Sequence, residues 1–197
     1  MRKISLVVII SMLAGSVNSQ EISYKKKPTL SVNFILNDFR TADLIRANTL
    51  AGVLKNKQWS KFSEMGPGLA VNYYQGITEY VDFMATMGAS IVDYTFKNRQ
   101  SLGSDNFLLE TDANVLVKLL SDKYRVTPYL SAGAGVSMYK VYWGAYIPFG
   151  FGLQVKLAEN TFLHTQVQYR TGITELANNH FNYSLGFGTP IGNGGKK

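Results

Sequence analysis

The 197-residue chain contains no cysteine, which excludes a disulfide framework and any thiolate metal site. Histidine is nearly as scarce. His164 and His180 stand alone among scattered acids and form no metal-ligand spacing, so no metal or other cofactor is implied. Beyond residue 19 no apolar run reaches the roughly 18 residues that a transmembrane helix needs. The one early run, Ile4 to Leu13, is too short to span a bilayer and follows Arg2 and Lys3. With Val17-Asn18-Ser19 behind it, residues 1–19 read as a signal peptide and Gln20 as the mature N-terminus, with no cysteine there for a lipid anchor. Residues 20–197 suffice for one domain. A nucleic-acid motif is missing as well. The formal charge of +7 falls to +5 without Arg2 and Lys3, and much of it sits in connections and tails such as Lys25–Lys27, Lys55, Lys57, Lys61, Lys196 and Lys197. No nucleic-acid partner is expected from that scatter.

What is present is period-two alternation, segment after segment, broken by polar turns. Leu30, Val32, Phe34 and Leu36 alternate with Ser31, Asn33, Ile35 and Asn37. Leu69, Val71 and Tyr73 begin a second segment, Val81 to Ile91 a third, and Leu109 to Leu119 a fourth. The pattern returns over Tyr129–Met138, Ile147–Leu157, Leu163–Arg170 and Phe181–Ile191. Eight strands of about ten residues each match what a tilted strand needs to cross an apolar band of about 25 Å. The odd connections, Asp38–Met65, Thr95–Asn106, Lys140–Gly144 and Thr171–Asn179, are read as the longer set. The even ones, Gln75–Glu79, Leu120–Arg125 and Ala158–Asn160, are tight. This asymmetry predicts an all-β, eight-stranded antiparallel up-and-down transmembrane β-barrel over residues 20–197, integral to a bacterial outer membrane, both termini periplasmic.

Alternation alone leaves a soluble barrel open, with its apolar face inside. The polar face decides between them: rich in Gly, Ser, Asn and Gln and poor in charge, it would coat a soluble protein badly. The apolar face carries Tyr73, Phe83, Tyr169, Phe181 and Phe187 near its ends, suited to membrane interfaces. With the polar face inward, Asp82, Glu110 and Asp112 oppose Lys118, Lys156 and Arg170 as an ion network in the lumen, because buried charges must pair. Reflection about Gln100 sets Asp82 opposite Lys118. Reflection of strands six and seven sets Gly150 and Gly152 opposite Gln168 and Gln166, small beside long, which predicts a filled interior without an open pore.

Pro128-Tyr129-Leu130-Ser131-Ala132-Gly133-Ala134-Gly135, the segment Phe107–Leu119 and the closing Asn182-Tyr183-Ser184-Leu185-Gly186-Phe187-Gly188 resemble the OmpA/OmpX-type outer-membrane barrels over Pro28–Ile191. The resemblance implies a barrel without a following peptidoglycan-binding domain. It also brings in a second possibility, because some such barrels are lipid A acylases or deacylases that use His, Ser and an acid. His180, Asn182 and Ser184 share one strand face, yet positions four apart lie about 13 Å apart along a strand, too far for His180 to activate Ser184. A non-enzymatic structural or partner-binding role is therefore expected, with a lipid-modifying enzyme as the alternative. His164 reads as a lumen hydrogen-bonding group.

The first connection is the strongest functional candidate, since long loops without function are uncommon. Thr41 is expected to cap a short helix with Asp43 in its first turn. Leu44, Ala47, Leu50, Val53 and Leu54 then form a stripe, followed by Trp59. Leu44, Leu50, Val53, Leu54 and Trp59 are the candidate contacts for other outer-membrane proteins, although the same stripe could close a lid over the barrel mouth. Outer-membrane lipid and anionic lipopolysaccharide are the remaining expected partners.

Overall fold

A computed structural model describes residues 24–94, 107–158 and 161–191. Eight strands are formed: β1 Thr29–Asp38, β2 Gly66–Gly76, β3 Val81–Ile91, β4 Phe107–Lys118, β5 Val126–Tyr139, β6 Tyr142–Ala158, β7 Thr161–Gly172 and β8 His180–Pro190. Each pairs antiparallel with its sequence neighbour, and β1 pairs with β8 to close the barrel. No edge is left to template aggregation.

Side-chain alternation follows from the pleat. Ser31, Asn33, Asn72, Asn114, Ser131, Gln166 and Gln168 are buried, whereas Val32, Phe34, Leu69, Val117, Leu130, Phe151, Leu185 and Phe187 are exposed. The exterior is therefore apolar on all eight strands and the interior polar, the reverse of a soluble barrel. Aromatics gather towards the two ends of the outer face. Tyr169 packs between Phe149 and Phe181 at centroid distances of 5.5 and 4.9 Å near one rim, and Tyr73 and Phe83 stand towards the other.

The connections differ from expectation in two places. The β5–β6 link is a two-residue hairpin at Lys140–Val141, with Lys140 at φ 57°, because β6 begins at Tyr142 and runs for 17 residues. The long-loop end is thus interrupted by one tight turn, formed where strand pairing continued past the apolar stretch. The first connection holds a helix, α1, over Phe39–Lys55, and a 3-10 turn at Phe62–Glu64. It is capped by Asp38, whose Oδ1 accepts from Thr41 N at 2.9 Å, so Thr41 is inside the helix and not its cap. A carboxylate that ends the strand can accept at the helix start without any intervening residue. The connections Thr95–Asn106 and Glu159–Asn160 lie outside the described residues, as do residues 1–19, the expected signal peptide.

Register between β3 and β4 is also displaced. Asp82 lies opposite Leu116 instead of Lys118, since the reflection point is set by strand pairing and not by the middle of the loop. Gly150 and Gly152 do face Gln168 and Gln166.

Candidate functional site: the barrel interior and mouth

The interior is packed in layers. At the end where the chain enters β1, Lys118 Nζ reaches diagonally to Asp82 Oδ1 at 3.0 Å, both side chains fully buried. Lys118 also meets Asp122 Oδ2 at 3.1 Å, one turn further along the chain. The second cation here comes from the segment before β1: Lys26 Nζ lies 3.3 Å from Asp122 and 3.7 Å from Asp82, hydrogen-bonds Gln154 Oε1, and stands 4.6 Å over the Phe162 ring. Burial pulls the Lys26 ammonium below its ordinary range, and Asp122 and Asp82 oppose that shift. Lys156 does not join this cluster. It has inward parity, but Phe162 and Lys26 fill the layer beneath it and leave it exposed on the rim.

Above this layer lies an aromatic one, Tyr74, Met84, Leu116 and Tyr129 with Phe162 against them. His164 is fully buried here, hydrogen-bonded to the Tyr129 hydroxyl. Glycine makes the space. A Cβ at Gly152 would stand 2.3 Å from Tyr129 Oη and 2.5 Å from Thr165 O. The room opposite Gln166 is thus taken chiefly by a tyrosine from the neighbouring strand.

Towards the other end Arg170 from β7 holds both acids of β4. Its Nη1 donates to Glu110 Oε2 at 2.6 Å and its Nη2 to Asp112 Oδ2 at 3.1 Å and Gln168 Oε1 at 3.3 Å. Tyr146 Oη donates to Asp112 at 3.0 Å, Asn37 Nδ2 to Glu110 at 3.3 Å, and Asn182 Nδ2 to Asn37 at 2.7 Å. His180 Nε2 lies 3.2 Å from Glu110 Oε1. A cavity between Ile35, Asn72, Glu110 and Gln168 measures about 10 Å³, room for a single water at most. Of the six charges read from sequence, five enter two separate clusters, Asp82 with Lys118 and Glu110 with Asp112 and Arg170. Lys26, Asp122, Tyr146 and His180 complete those clusters. Asp122 had a local signal, four residues after Lys118; Lys26 had none, because its place depends on how the chain enters the barrel.

This arrangement can be set beside known proteins. Neisserial surface protein A superposes with a TM-score of 0.56 at 12% identity, over 84% of this chain and 98% of that one. Ail, the attachment invasion locus protein of Yersinia pestis, solved in complex with the heparin analogue sucrose octasulfate, gives 0.53 at 13% identity, over 84% and 98%. The fold is that of the eight-stranded outer-membrane barrels. No family model and no curated protein matches the sequence.

The mouth of this outer-membrane-type barrel is covered by the start of α1. Phe39 is buried, stacking on His180 at 4.4 Å and on Tyr94 at 5.6 Å. Tyr94 Oη donates to Asp43 Oδ2, and burial first, then this bond, raises the phenol above its ordinary range. The base of the loop is stapled: Ser60 Oγ donates to Asp38 Oδ1 at 2.6 Å and Ser60 N to Thr41 Oγ1 at 3.1 Å. Beyond the staple the expected stripe is divided. Thr49 sits at φ 65°, ψ 156°, which breaks the helical phase, so Val53 is buried and Leu44 partly so, while Leu50, Leu54 and Trp59 are exposed. Ala47 is exposed as well. His180 points to Glu110 and Phe39; Ser184 lies four residues away on the same strand.

Proposed function

We propose that this chain is an integral outer-membrane β-barrel whose interior is closed by its own side chains and whose first loop binds a partner. The observation that carries the reading is the exterior: every strand turns apolar side chains outward, exposed on seven of them, as with Phe151 at 61% and Leu185 at 51%, and half-buried on β7. Water would oppose so large an apolar surface at about 25 cal/mol per Å², whereas lipid accepts it. Both termini then lie in the periplasm, and α1 faces the exterior of the cell. The charge clusters serve as packing and specificity elements of a plug. The first loop closes the mouth with Phe39 and Ala42 and offers Leu50, Leu54, Trp59 and Phe62 beyond it. Lys55, Lys57 and Lys61, exposed beside those side chains, suit the phosphates of lipopolysaccharide.

Gentle detergent extraction of outer membranes followed by affinity capture tests the binding role. The full chain is expected to retain a partner protein that a variant lacking Thr41–Ser60 loses, with the barrel still assembled by its heat-dependent gel mobility. Recovery of the chain in the aqueous fraction after cell breakage would sink the membrane reading. Capture of nothing by the intact chain would sink the loop reading alone.

A further inference from the structure

The segment before β1 crosses the turn end of the barrel and is pinned there: Gly76 N donates to Lys26 O at 3.1 Å and Tyr24 N to Glu79 Oε1 at 2.9 Å. Between this segment, the β4–β5 turn and the ends of β6 and β7 lies a cleft of about 230 Å³. Its wall carries Lys25, Lys26, Lys27, Arg125 and Lys156, with Asp122 as the one acid among the described lining residues. Asp122 is already engaged by Lys26 and by Lys118. Among the described residues no acid forms an ion pair with Lys25, Lys27, Arg125 or Lys156. Among the described residues, four cations without an ion pair thus line one concavity, whose remaining wall includes the rings of Tyr124 and Phe162 and Pro190.

We propose that this cleft binds a phosphate-bearing anion, and that the headgroup of an anionic phospholipid is the source its position favours. Low-dielectric walls focus the field of converging charges, and the cations lower one another's stability unless an anion sits among them. A guanidinium fork with flanking ammonium groups fits phosphate oxygens. The volume is below that of drug-sized ligand pockets, which suits a headgroup and not a polymer. The cleft opens beside Leu157, Tyr124 and Ile191, apolar side chains exposed at the strand ends, where acyl chains meet headgroups. The lipid source rests on the membrane reading above; the phosphate chemistry does not.

Two measurements on the full chain separate these. In neutral micelles, titration of inorganic phosphate followed by the Arg125 Nε–Hε and backbone resonances around the cleft tests the anion site. Saturable shifts there support it even for a chain that never enters an outer membrane. In bilayers of equal phosphatidylglycerol and phosphatidylcholine, native mass spectrometry of the released protein tests the source. One phosphatidylglycerol is expected to be retained preferentially, and R125Q/K156Q to reduce that preference about tenfold. R46Q/K140Q, at the opposite end, should leave it unchanged. Phosphate shifts without lipid preference would assign the cleft to a free phosphate. Absence of both, in the unaltered protein, overturns the proposal, as does an equal loss in the two double variants.

Discussion

Arg170 shows most plainly what a single side chain does here. Its guanidinium donates to Glu110, Asp112 and Gln168 and lies 5.2 Å over the Tyr146 ring. Removing it leaves two buried carboxylates uncompensated, which costs about 3–5 kcal/mol. R170M is therefore expected to lower stability by that amount in urea unfolding from vesicles, followed by tryptophan fluorescence. Combining it with E110Q and D112N should restore most of the loss, because the paired charges are removed together. Gly152 is the second such position. G152A places a methyl against Tyr129 Oη and Thr165 O, and overpacking of this kind costs about 1–3 kcal/mol in the same assay. A neutral result there would mean that Tyr129 moves aside freely. Asp82, Glu110, Asp112, Lys118 and Arg170 were legible on the inward face from parity alone, whereas the partners Lys26 and Tyr146 were not, because Tyr146 approaches from another strand and Lys26 from the segment before β1.

At the level of elements, the base of the first loop is held by a small polar staple beside the helix residue Phe39. Asp38 caps Thr41 N and accepts from Ser60 Oγ at the same oxygen. D38A removes both, and loss of such a cap costs about 1–2 kcal/mol. The expected outcome is faster limited proteolysis between Arg46 and Lys61 with unchanged gel mobility of the barrel; a barrel that also fails to assemble would show that the staple serves the strands. The 3-10 turn at Phe62–Glu64 adds a pH dependence. Glu64 accepts from Lys61 N at 2.9 Å and pairs with Arg40, which holds its carboxyl below the ordinary range, the backbone bond being the larger cause. A depressed acid stabilises the fold above its unfolded pKa, and that contribution is lost as pH falls through the lower, folded value. The protection factor of the Lys61 amide should accordingly fall on acidification below the carboxylate range, and E64Q should flatten that response. The helix itself was legible as a stripe. Its break at Thr49 was not, since a positive φ at a non-glycine residue leaves no trace in the hydrophobic period.

For the molecule as a whole the decisive property is that the apolar face of the sheet turns outward, the face that the proposed membrane reading sets against lipid. Phe151 and Leu185 lie on the outward face of β6 and β8. An arginine at such a position costs about 2–4 kcal/mol near the bilayer midplane and much less near its edges. L185R is expected to shift the urea midpoint of folding into vesicles accordingly, while I191R, beyond the last strand, should shift it little. Equal, negligible effects would mean that the outer face is bathed in water.

Alternating polarity in the chain determined the eight strands and most of the inward polar set, because a period of two is a local property of the pleat, and the tight turn between strands six and seven added the facing of Gly150 and Gly152 with the glutamines. Only the closed tertiary structure decided that Asp82 meets Lys118 across a displaced register, that Lys26 supplies the second cation at the base, and that Lys156 is left outside on the rim. Those outcomes depend on strand pairing, closure and the volume already occupied within the cylinder, none of which is encoded in any one segment.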